Sequence, residues 1–246
     1  MLVIVNLMMD KTVTAEYTKV YTLPYTQNFD GTTLPEDWEN VDNAGDGMVW
    51  EFKAEAGSYS KVSLSGSTPN AAILDSDSYG SEGSQDADLI SPSFDLTSYS
   101  AVNLSFNHYY KDNYNSTATL SYSINGGEWI EIQQWTSTTG NPEVFDQNIT
   151  DVIGQKNVRF KWNYAGSWGY YWLVDDIEIT GVESADEYTV TYSAGENGTL
   201  EGADGGEITQ TVAHGENGPS VTAVPNDGYD FYEWSDGVTD NPRQDI

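Results

Sequence analysis

Apolar residues in this chain alternate with polar ones over short stretches that are bounded by glycine, asparagine, aspartate and proline. Clear examples are residues 102–106, 118–124 and 158–162. A period of two places apolar side chains on one face of a strand, whereas the helical period of about 3.6 is almost absent here. Asn125 and Gly126 lie between two such stretches and have the residue types of a tight hairpin turn. The pattern predicts an all-β sandwich.

Charge excludes several partners. The 246 residues include 39 Asp and Glu but only 9 Lys and Arg, which gives a formal net charge of −30. A phosphate backbone needs a cationic face, so the balance argues against nucleic acid and against an anionic membrane surface. Aromatic residues make up 13 % of the chain, enough to build a core, unlike an acidic disordered segment. The absence of cysteine excludes disulfides, thiolate metal sites and a cysteine nucleophile.

Residues 1–20 are treated separately from the predicted sandwich because they begin with an apolar segment. Residues 1–9 are apolar like the core of a signal peptide, but no positive segment precedes them and no clean cleavage site follows. Residues 1–20 are a truncated signal, a leader foreign to the fold or an edge strand. No apolar run approaches the ~18–20 residues that span a membrane, so we expect no membrane insertion. Abundant Thr, Ser, Asn, Gly and Tyr with few Lys favour an extracellular or cell-surface bacterial protein.

A change of pattern marks a domain boundary. Residues 181–187 are short, polar and acidic, and a glycine-rich unit of short strands follows them. We expect a sandwich domain over residues 21–182, a linker over 183–187 and a small β-rich domain over 188–246. About 59 residues without a disulfide are near the lower limit for an independent core. No closing strand follows the turn-like residues 239–242, so we expect this second domain to be incomplete.

Six blocks within residues 22–181 carry a family resemblance. They are NFDG at 28–31, LPEDW at 34–38, DNAGDG at 42–47, AAILDSD at 71–77, DLISPSFDL at 88–96 and WGYYWLVDDI at 168–177. In this order they resemble the cleaved-adhesin and MAM-like jelly-roll family of secreted Bacteroidetes proteins, which includes the adhesin regions of gingipains. The resemblance implies an antiparallel jelly roll.

The second domain resembles a divergent internalin-B-type repeat of bacterial surface proteins. The matching features are GTL at 198–200, the turn at Gly206, AVPNDGYDF at 223–231 and EWSDG at 233–237. Both resemblances imply non-catalytic modules at the cell surface or outside the cell. Neither resemblance specifies a ligand.

Asp175 is the first candidate calcium ligand. Over residues 173–179, strand alternation places every odd-numbered residue, Asp175 included, on the apolar face, and Asp176 and Glu178 on the solvent face. An unpaired carboxylate on a core face is very costly, and the scarcity of Lys and Arg favours a metal cation as its partner. Calcium prefers hard oxygen ligands. The resemblance implies that Asp30 joins Asp175 at such a site; alternatively, Asp175 caps a backbone turn.

Two further carboxylate pairs are candidate calcium ligands. Asp42 and Asp46 flank a glycine in an oxygen-rich loop, which suggests a second calcium site. The loop resembles the start of an EF-hand, but Lys53 stands where the bidentate glutamate of that motif belongs, which argues against an EF-hand. Asp75 and Asp77 are two residues apart and would share a strand face as ligands, or else they lie on a solvated edge.

Aromatic residues suggest where a partner binds. Trp168 and Tyr170 flank a glycine in a predicted loop, where exposed rings can stack on a sugar or a partner side chain. The alternative is that these rings belong to the core and its edge.

Nothing in the sequence singles out a catalytic centre. No Gly-x-Ser-x-Gly motif accompanies His108 or His214, and no carboxylate pair stands out. We therefore expect a monomeric, non-catalytic, calcium-stabilised adhesion module that binds a glycan or a host or surface protein. The alternative is a structural spacer that positions another domain.

Overall fold

The computed structural model describes residues 19–80, 84–112, 116–203 and 206–245. The chain divides into two units, the first ending at Glu183 and the second starting at Ser184. Of the predicted leader over residues 1–20, residues 1–18 lie outside the described residues, whereas Val20 pairs with Ser93 and belongs to the first sheet of the sandwich. In the described ranges, no helix has the length and apolar character needed to cross a membrane.

Strands dominate both units. The first unit contains β1 (Val20–Tyr21), β2 (Tyr25–Gln27), β3 (Glu39–Asp42), β4 (Glu51–Lys53), β5 (Ala71–Asp75), β6 (Gln85–Ile90), β7 (Ser93–Phe94), β8 (Tyr99–Lys111), β9 (Ser116–Ile124), β10 (Ile130–Trp135), β11 (Glu143–Asn148), β12 (Val158–Gly166) and β13 (Tyr171–Glu183). The second unit contains β14 (Glu187–Ser193), β15 (Gly198–Leu200), β16 (Glu207–Ala213) and β17 (Ala223–Pro225). Two short helical segments, α1 (Ser76–Tyr79) and a 3-10 turn (Thr150–Val152), lie in the first unit.

The first unit is a sandwich of two sheets. The first sheet has the order β1-β7-β12-β6-β3, with β9 also paired to β12 and β10 paired to β9. The second sheet has the order β11-β8-β13-β5-β4, with β2 also paired to β13. The pairs are antiparallel except β1 with β7, which run parallel. The predicted all-β antiparallel jelly-roll sandwich is confirmed.

Strand alternation builds the core between the two sheets. In β8 every even-numbered residue from Val102 to Tyr110 is buried, while the intervening residues are partly exposed. The predicted strands over residues 102–106, 118–124 and 158–162 fall within β8, β9 and β12. The largest fully buried side chains of this core are Trp50, Trp162, Trp172, Tyr110, Tyr164, Phe29, Phe94, Phe106 and Phe160. Aromatic content therefore supplies most of the bulk that a core without disulfides needs.

The predicted hairpin turn is present between β9 and β10. Asn125 and Gly126 have φ angles of 54° and 68°, a left-handed conformation that these residue types tolerate. The Gly127 amide closes the turn by donating to the Ile124 carbonyl at 3.0 Å. Local sequence chemistry is sufficient to define this connection.

The outer face of the second sheet has an apolar layer of its own. Ile73 and Leu173 project from neighbouring strands into a cluster with Ala56 and Leu64, which belong to the connection between β4 and β5. A backbone bridge between Ala56 and Val62 holds this connection in shape. Side chains on this face of β13 are therefore buried although they lie outside the sandwich core.

The second unit consists of two separate strand pairs, β14 with β16 and β15 with β17. Its apolar cluster is small and centres on Tyr192, Leu200 and Val221. Arg243 pairs with both Asp236 and Asp245, at 2.9 Å for Asp236. The predicted small β-rich fold of this unit is confirmed.

Candidate functional site

Asp175 lies at a bulge in β13. It pairs with Asn107 of β8, but the next paired residue is Glu178 with Ser105, so β13 carries one extra residue at this point. Asp176 lies within this bulge and has a left-handed backbone conformation, with a φ of 51°. As predicted, Asp175 is buried, with 1 % of its surface exposed, and Asp176 and Glu178 face solvent.

The predicted single apolar face of residues 173–179 is wrong. Val174 before the bulge and Ile177 after it both belong to the sandwich core, whereas Leu173 belongs to the outer cluster. The extra residue reverses the alternation, because each position in a strand points opposite to its neighbour. The Asp175 side chain therefore lies on the outer face of the second sheet, beneath the β4–β5 connection.

Three separate segments meet around the Asp175 carboxylate. The Phe29 amide donates to its Oδ1 at 2.9 Å, and the Ser67 hydroxyl donates to its Oδ2. Asn70 Nδ2 donates to the backbone carbonyl of Asp30 at 2.7 Å, so Asp30 is tied to the same region through its main chain. Burial raises the pKa of the Asp175 carboxyl, and these hydrogen bonds only partly offset that effect.

The donor chemistry around Asp175 suits calcium. The buried carboxylate lies near a hydroxyl and the backbone carbonyls of Asp30 and Asn70, all of them hard oxygens. Within the part of the chain that the structure describes, Asp175 forms no ion pair, and no three His, Asp or Glu side chains cluster as a metal-binding group. Asp30 itself is exposed. One buried carboxylate and neutral oxygens are thus the available ligands.

The Asp42 and Asp46 carboxylates organise their own loop. Asp42 accepts hydrogen bonds from the amides of Gly45 and Gly47, both at 2.7 Å, and the bond from Gly47 contributes most to lowering the Asp42 pKa. Asp46 accepts from the Met48 amide at 2.9 Å. Backbone amides therefore satisfy both Asp42 oxygens and Asp46 Oδ1, whereas Asp46 Oδ2 is buried without a hydrogen-bond partner among the described residues.

Asp75 and Asp77 do not share a strand face, so that prediction is wrong. Asp75 ends β5 and caps α1 by accepting from the Ser78 amide at 3.1 Å, which places Asp77 in the helical turn. Asp75 also pairs with Lys53 at 3.1 Å, and Asp77 accepts from the Ser58 amide at 2.6 Å. Both carboxylates anchor residues 53–58.

Trp168 and Tyr170 lie in the connection between β12 and β13, which we call the aromatic loop (residues 167–170). Trp168 is 63 % exposed and Tyr170 37 % exposed, while Gly169 between them is buried. A Cβ atom at Gly169 would lie 1.8 Å from the Tyr164 hydroxyl, so only glycine allows the loop to cross this point. The close crossing anchors the loop while its two rings face outward.

Lys111 is a neighbour of the aromatic loop that the sequence did not single out. It ends β8, opposite Tyr171 of β13, and its ammonium lies 5.7 Å from the centroid of the Tyr170 ring. Tyr171 packs against the Tyr170 ring at 6.0 Å, and burial raises the Tyr171 pKa to about 12. The sequence feature that could have identified Lys111 is its position at the end of a predicted strand in a chain with few cations.

Two family models and several solved structures are similar to parts of this chain. Residues 22–141 match the Cleaved Adhesin Domain family, and residues 188–245 match the Divergent InlB B-repeat domain family. The K1 Cleaved Adhesin domain of Lys-gingipain from Porphyromonas gingivalis is similar, with 19 % identity, a TM-score of 0.49 and coverage of 64 % of this chain and 98 % of that domain. The K3 domain of the same protein has 16 % identity, a TM-score of 0.48 and the same coverage.

A carbohydrate-binding structure is also similar. TmCBM61, solved in complex with β-1,4-galactotriose, has 12 % identity and a TM-score of 0.44, with coverage of 63 % of this chain and 94 % of that one. No curated protein sequence matches the chain.

The family match supports an adhesion or binding module. Residues 22–141, which match the Cleaved Adhesin Domain family model, lie within the sandwich unit, and residues 188–245, which match the Divergent InlB B-repeat model, lie within the second unit.

Proposed function

We propose that the sandwich is a non-catalytic adhesion module of a secreted or cell-surface bacterial protein and that it binds its ligand at the aromatic loop. The observation that carries the proposal is the exposure of Trp168 and Tyr170 on a loop whose central glycine is buried. Flat exposed rings offer apolar area at little entropic cost, and they stack on sugar rings or partner side chains. A glycan or a host or surface protein fits this surface.

The environment of His108 favours a non-catalytic role. Its ring is fully buried, 4.7 Å from the Trp135 ring, and its Nδ1 accepts from the Trp172 indole at 3.3 Å. A general base must reach the proton of a bound substrate, which this position does not allow. The other histidine of the chain, His214, lies in the second unit.

The ligand proposal is tested by binding to glycan arrays and immobilised matrix proteins. We expect Trp168→Ala to weaken binding by about tenfold or more without lowering the melting temperature, because the ring contributes contact area and not core packing. Tyr229→Ala, which removes an exposed ring of the second unit, is the control and should bind like wild type. If no glycan or protein binds at high concentration, the sandwich is a structural spacer.

We further propose that calcium stabilises the sandwich through Asp175. A bound ion would neutralise a buried carboxylate and link residues 28–31 to β13. A cation that binds only the native state stabilises it by about 2.7 kcal/mol at a hundredfold excess over Kd. For a domain of this size the gain corresponds to a rise in melting temperature of about 5–10 °C.

Chelation tests the calcium proposal. EDTA should lower the melting temperature of the sandwich and calcium should restore it, whereas magnesium should do so poorly because it requires a small octahedral shell. Asp175→Asn should abolish this response, since the amide keeps the shape but loses the charge. Asp176→Asn is the matched control, because this neighbour is exposed and should retain most of the response. A wild-type protein insensitive to EDTA would show that Asp175 serves only as a hydrogen-bond acceptor.

A further inference from the structure

Lys111 is a cation without a carboxylate in a chain rich in carboxylates. Asp and Glu outnumber Lys and Arg by 39 to 9. Among the described residues, the Lys and Arg side chains that form ion pairs are Lys19, Lys53, Arg159, Lys161 and Arg243. Across residues 19–80, 84–112, 116–203 and 206–245, no carboxylate pairs with Lys111, whose ammonium lies beside the Tyr170 ring instead.

The position of this ammonium is fixed by regular structure. Lys111 is opposite Tyr171 in the ladder between β8 and β13, and the Tyr171 ring contacts both Tyr170 at 6.0 Å and Tyr109 at 5.8 Å. Tyr170 is further anchored because its carbonyl accepts from the Asp77 amide at 2.9 Å. The charge and the aromatic loop thus form one preorganised surface at the end of two adjacent strands.

We infer that this surface selects acidic saccharides, that is, glycans with a carboxylate on the sugar ring, and that Lys111 is the residue that makes the selection. The inference rests on the proposed binding function of the aromatic loop. Trp168 and Tyr170 supply faces for the apolar side of a sugar ring, and the Lys111 ammonium beside the Tyr170 ring supplies a positive charge that attracts a carboxylate.

The charge of the rest of the protein makes binding of an acidic glycan depend on the attraction by Lys111. A net charge of −30 repels an acidic glycan at long range, but at physiological ionic strength the repulsion is screened over about 8 Å. At contact, the Lys111 ammonium beside the Tyr170 ring attracts a ligand carboxylate and opposes the negative charges of Asp75 and Asp77, which act on the neighbouring Tyr171. Without Lys111 the same rings would favour the neutral form of a sugar over its anion.

Paired ligands that differ only in charge test the inference. The probes are oligosaccharides that contain galacturonic, glucuronic or sialic acid, each compared with its own methyl ester by calorimetry on the full chain. For at least one pair we expect the acid to bind wild type about three- to tenfold more tightly than the ester. Lys111→Gln should remove this preference and leave ester binding unchanged, whereas Trp168→Ala should weaken both ligands.

Controls separate this inference from the proposed function. Lys156→Gln removes the same charge from an exposed lysine that, like Lys111, forms no ion pair with the described residues, and this variant should keep the preference. If wild type binds acid and ester equally and Trp168→Ala binds neither, the selection by Lys111 is overturned, while the aromatic loop is supported as the binding surface. Lys111-dependent binding of poly-glutamate with no saccharide bound would overturn the sugar class. No binding of any probe or matrix protein would overturn both proposals.

Discussion

His108 is a titratable side chain that the sandwich keeps neutral. Burial among the rings of Trp135 and Trp172 lowers its pKa to about 4, because the charged imidazolium would lose its hydration. The nearest carboxylate, that of Glu143, is 3.8 Å from Nε2 and largely exposed, which limits the charge compensation it provides. The indole donor of Trp172 also requires an unprotonated Nδ1.

This depressed pKa predicts loss of stability in acid. The native pKa of about 4 lies below the unfolded value of 6.5, so the contribution of His108 is fully present above pH 6.5 and is lost as the pH falls through pH 4. The free energy of unfolding of the sandwich should fall by about 2–3 kcal/mol more in wild type than in His108→Gln between pH 7.5 and 4.5. Gln retains an acceptor for the Trp172 indole.

Urea titrations at the two pH values measure this difference. His214→Gln, a substitution in the second unit, is the control and should leave the pH dependence of the sandwich as in wild type. A His108→Gln protein as acid-sensitive as wild type would show that the imidazole becomes protonated without opening the core.

At the scale of elements, the bulge in β13 determines which side chains reach the Asp175 environment. It depends on Asp176, a non-glycine residue with a φ of 51°. Aspartate tolerates this conformation better than most residues, but the crowding of its Cβ atom still costs conformational energy. The Asn107 side-chain Nδ2 donates to the Asp176 carboxylate at 2.9 Å and helps to hold the bulge in place.

Two substitutions at Asp176 separate backbone strain from the hydrogen bond. Both Asp176→Gly and Asp176→Ala remove the bond from Asn107, but only alanine keeps a Cβ atom in the left-handed conformation. We expect the glycine variant to be more stable than the alanine variant by about 1 kcal/mol. Denaturant unfolding measures the difference, and equal stability of the two variants would contradict a strained bulge.

The same region shows what strand patterns reveal and what they miss. Alternation correctly predicted that Asp175 is buried and Asp176 is exposed, and the residue types at Asn125 and Gly126 correctly predicted the hairpin. Neither pattern could predict the bulge, because no residue type by itself indicates an extra residue in a strand. The bulge depends on pairing with β8, about 70 residues away.

Non-local contacts explain the other differences at the candidate site. Asp75 and Asp77 have the spacing of a strand, yet the Asp75 carboxylate starts a helical turn that packs against residues 53–58. The neighbours of Asp175, Ser67 and Asn70, lie more than 100 positions from it in sequence. Such neighbours are determined by the topology of the second sheet, and sequence spacing carries no information about them.

At the scale of the whole molecule, the net charge of −30 has a consequence for stability. Like charges repel within the compact state, and at 0.1 M salt this repulsion is screened over about 10 Å. The melting temperature should therefore rise by a few degrees between 10 and 150 mM NaCl, as calorimetry in EDTA would show. KCl at the same ionic strength should act equally, and a constant melting temperature would mean that bound ions already neutralise the charge.

The strand that completes the first unit is also the centre of its second sheet. β13 pairs with β8 along one edge and with β5 and β2 along the other, and the Phe29–Asp175 contact joins positions 146 residues apart. This gives the unit a high contact order, which is associated with slow folding. On the ribosome, β8 and β5 each have an unpaired edge until β13 emerges, so the nascent first unit is exposed to aggregation until its last strand has been synthesised.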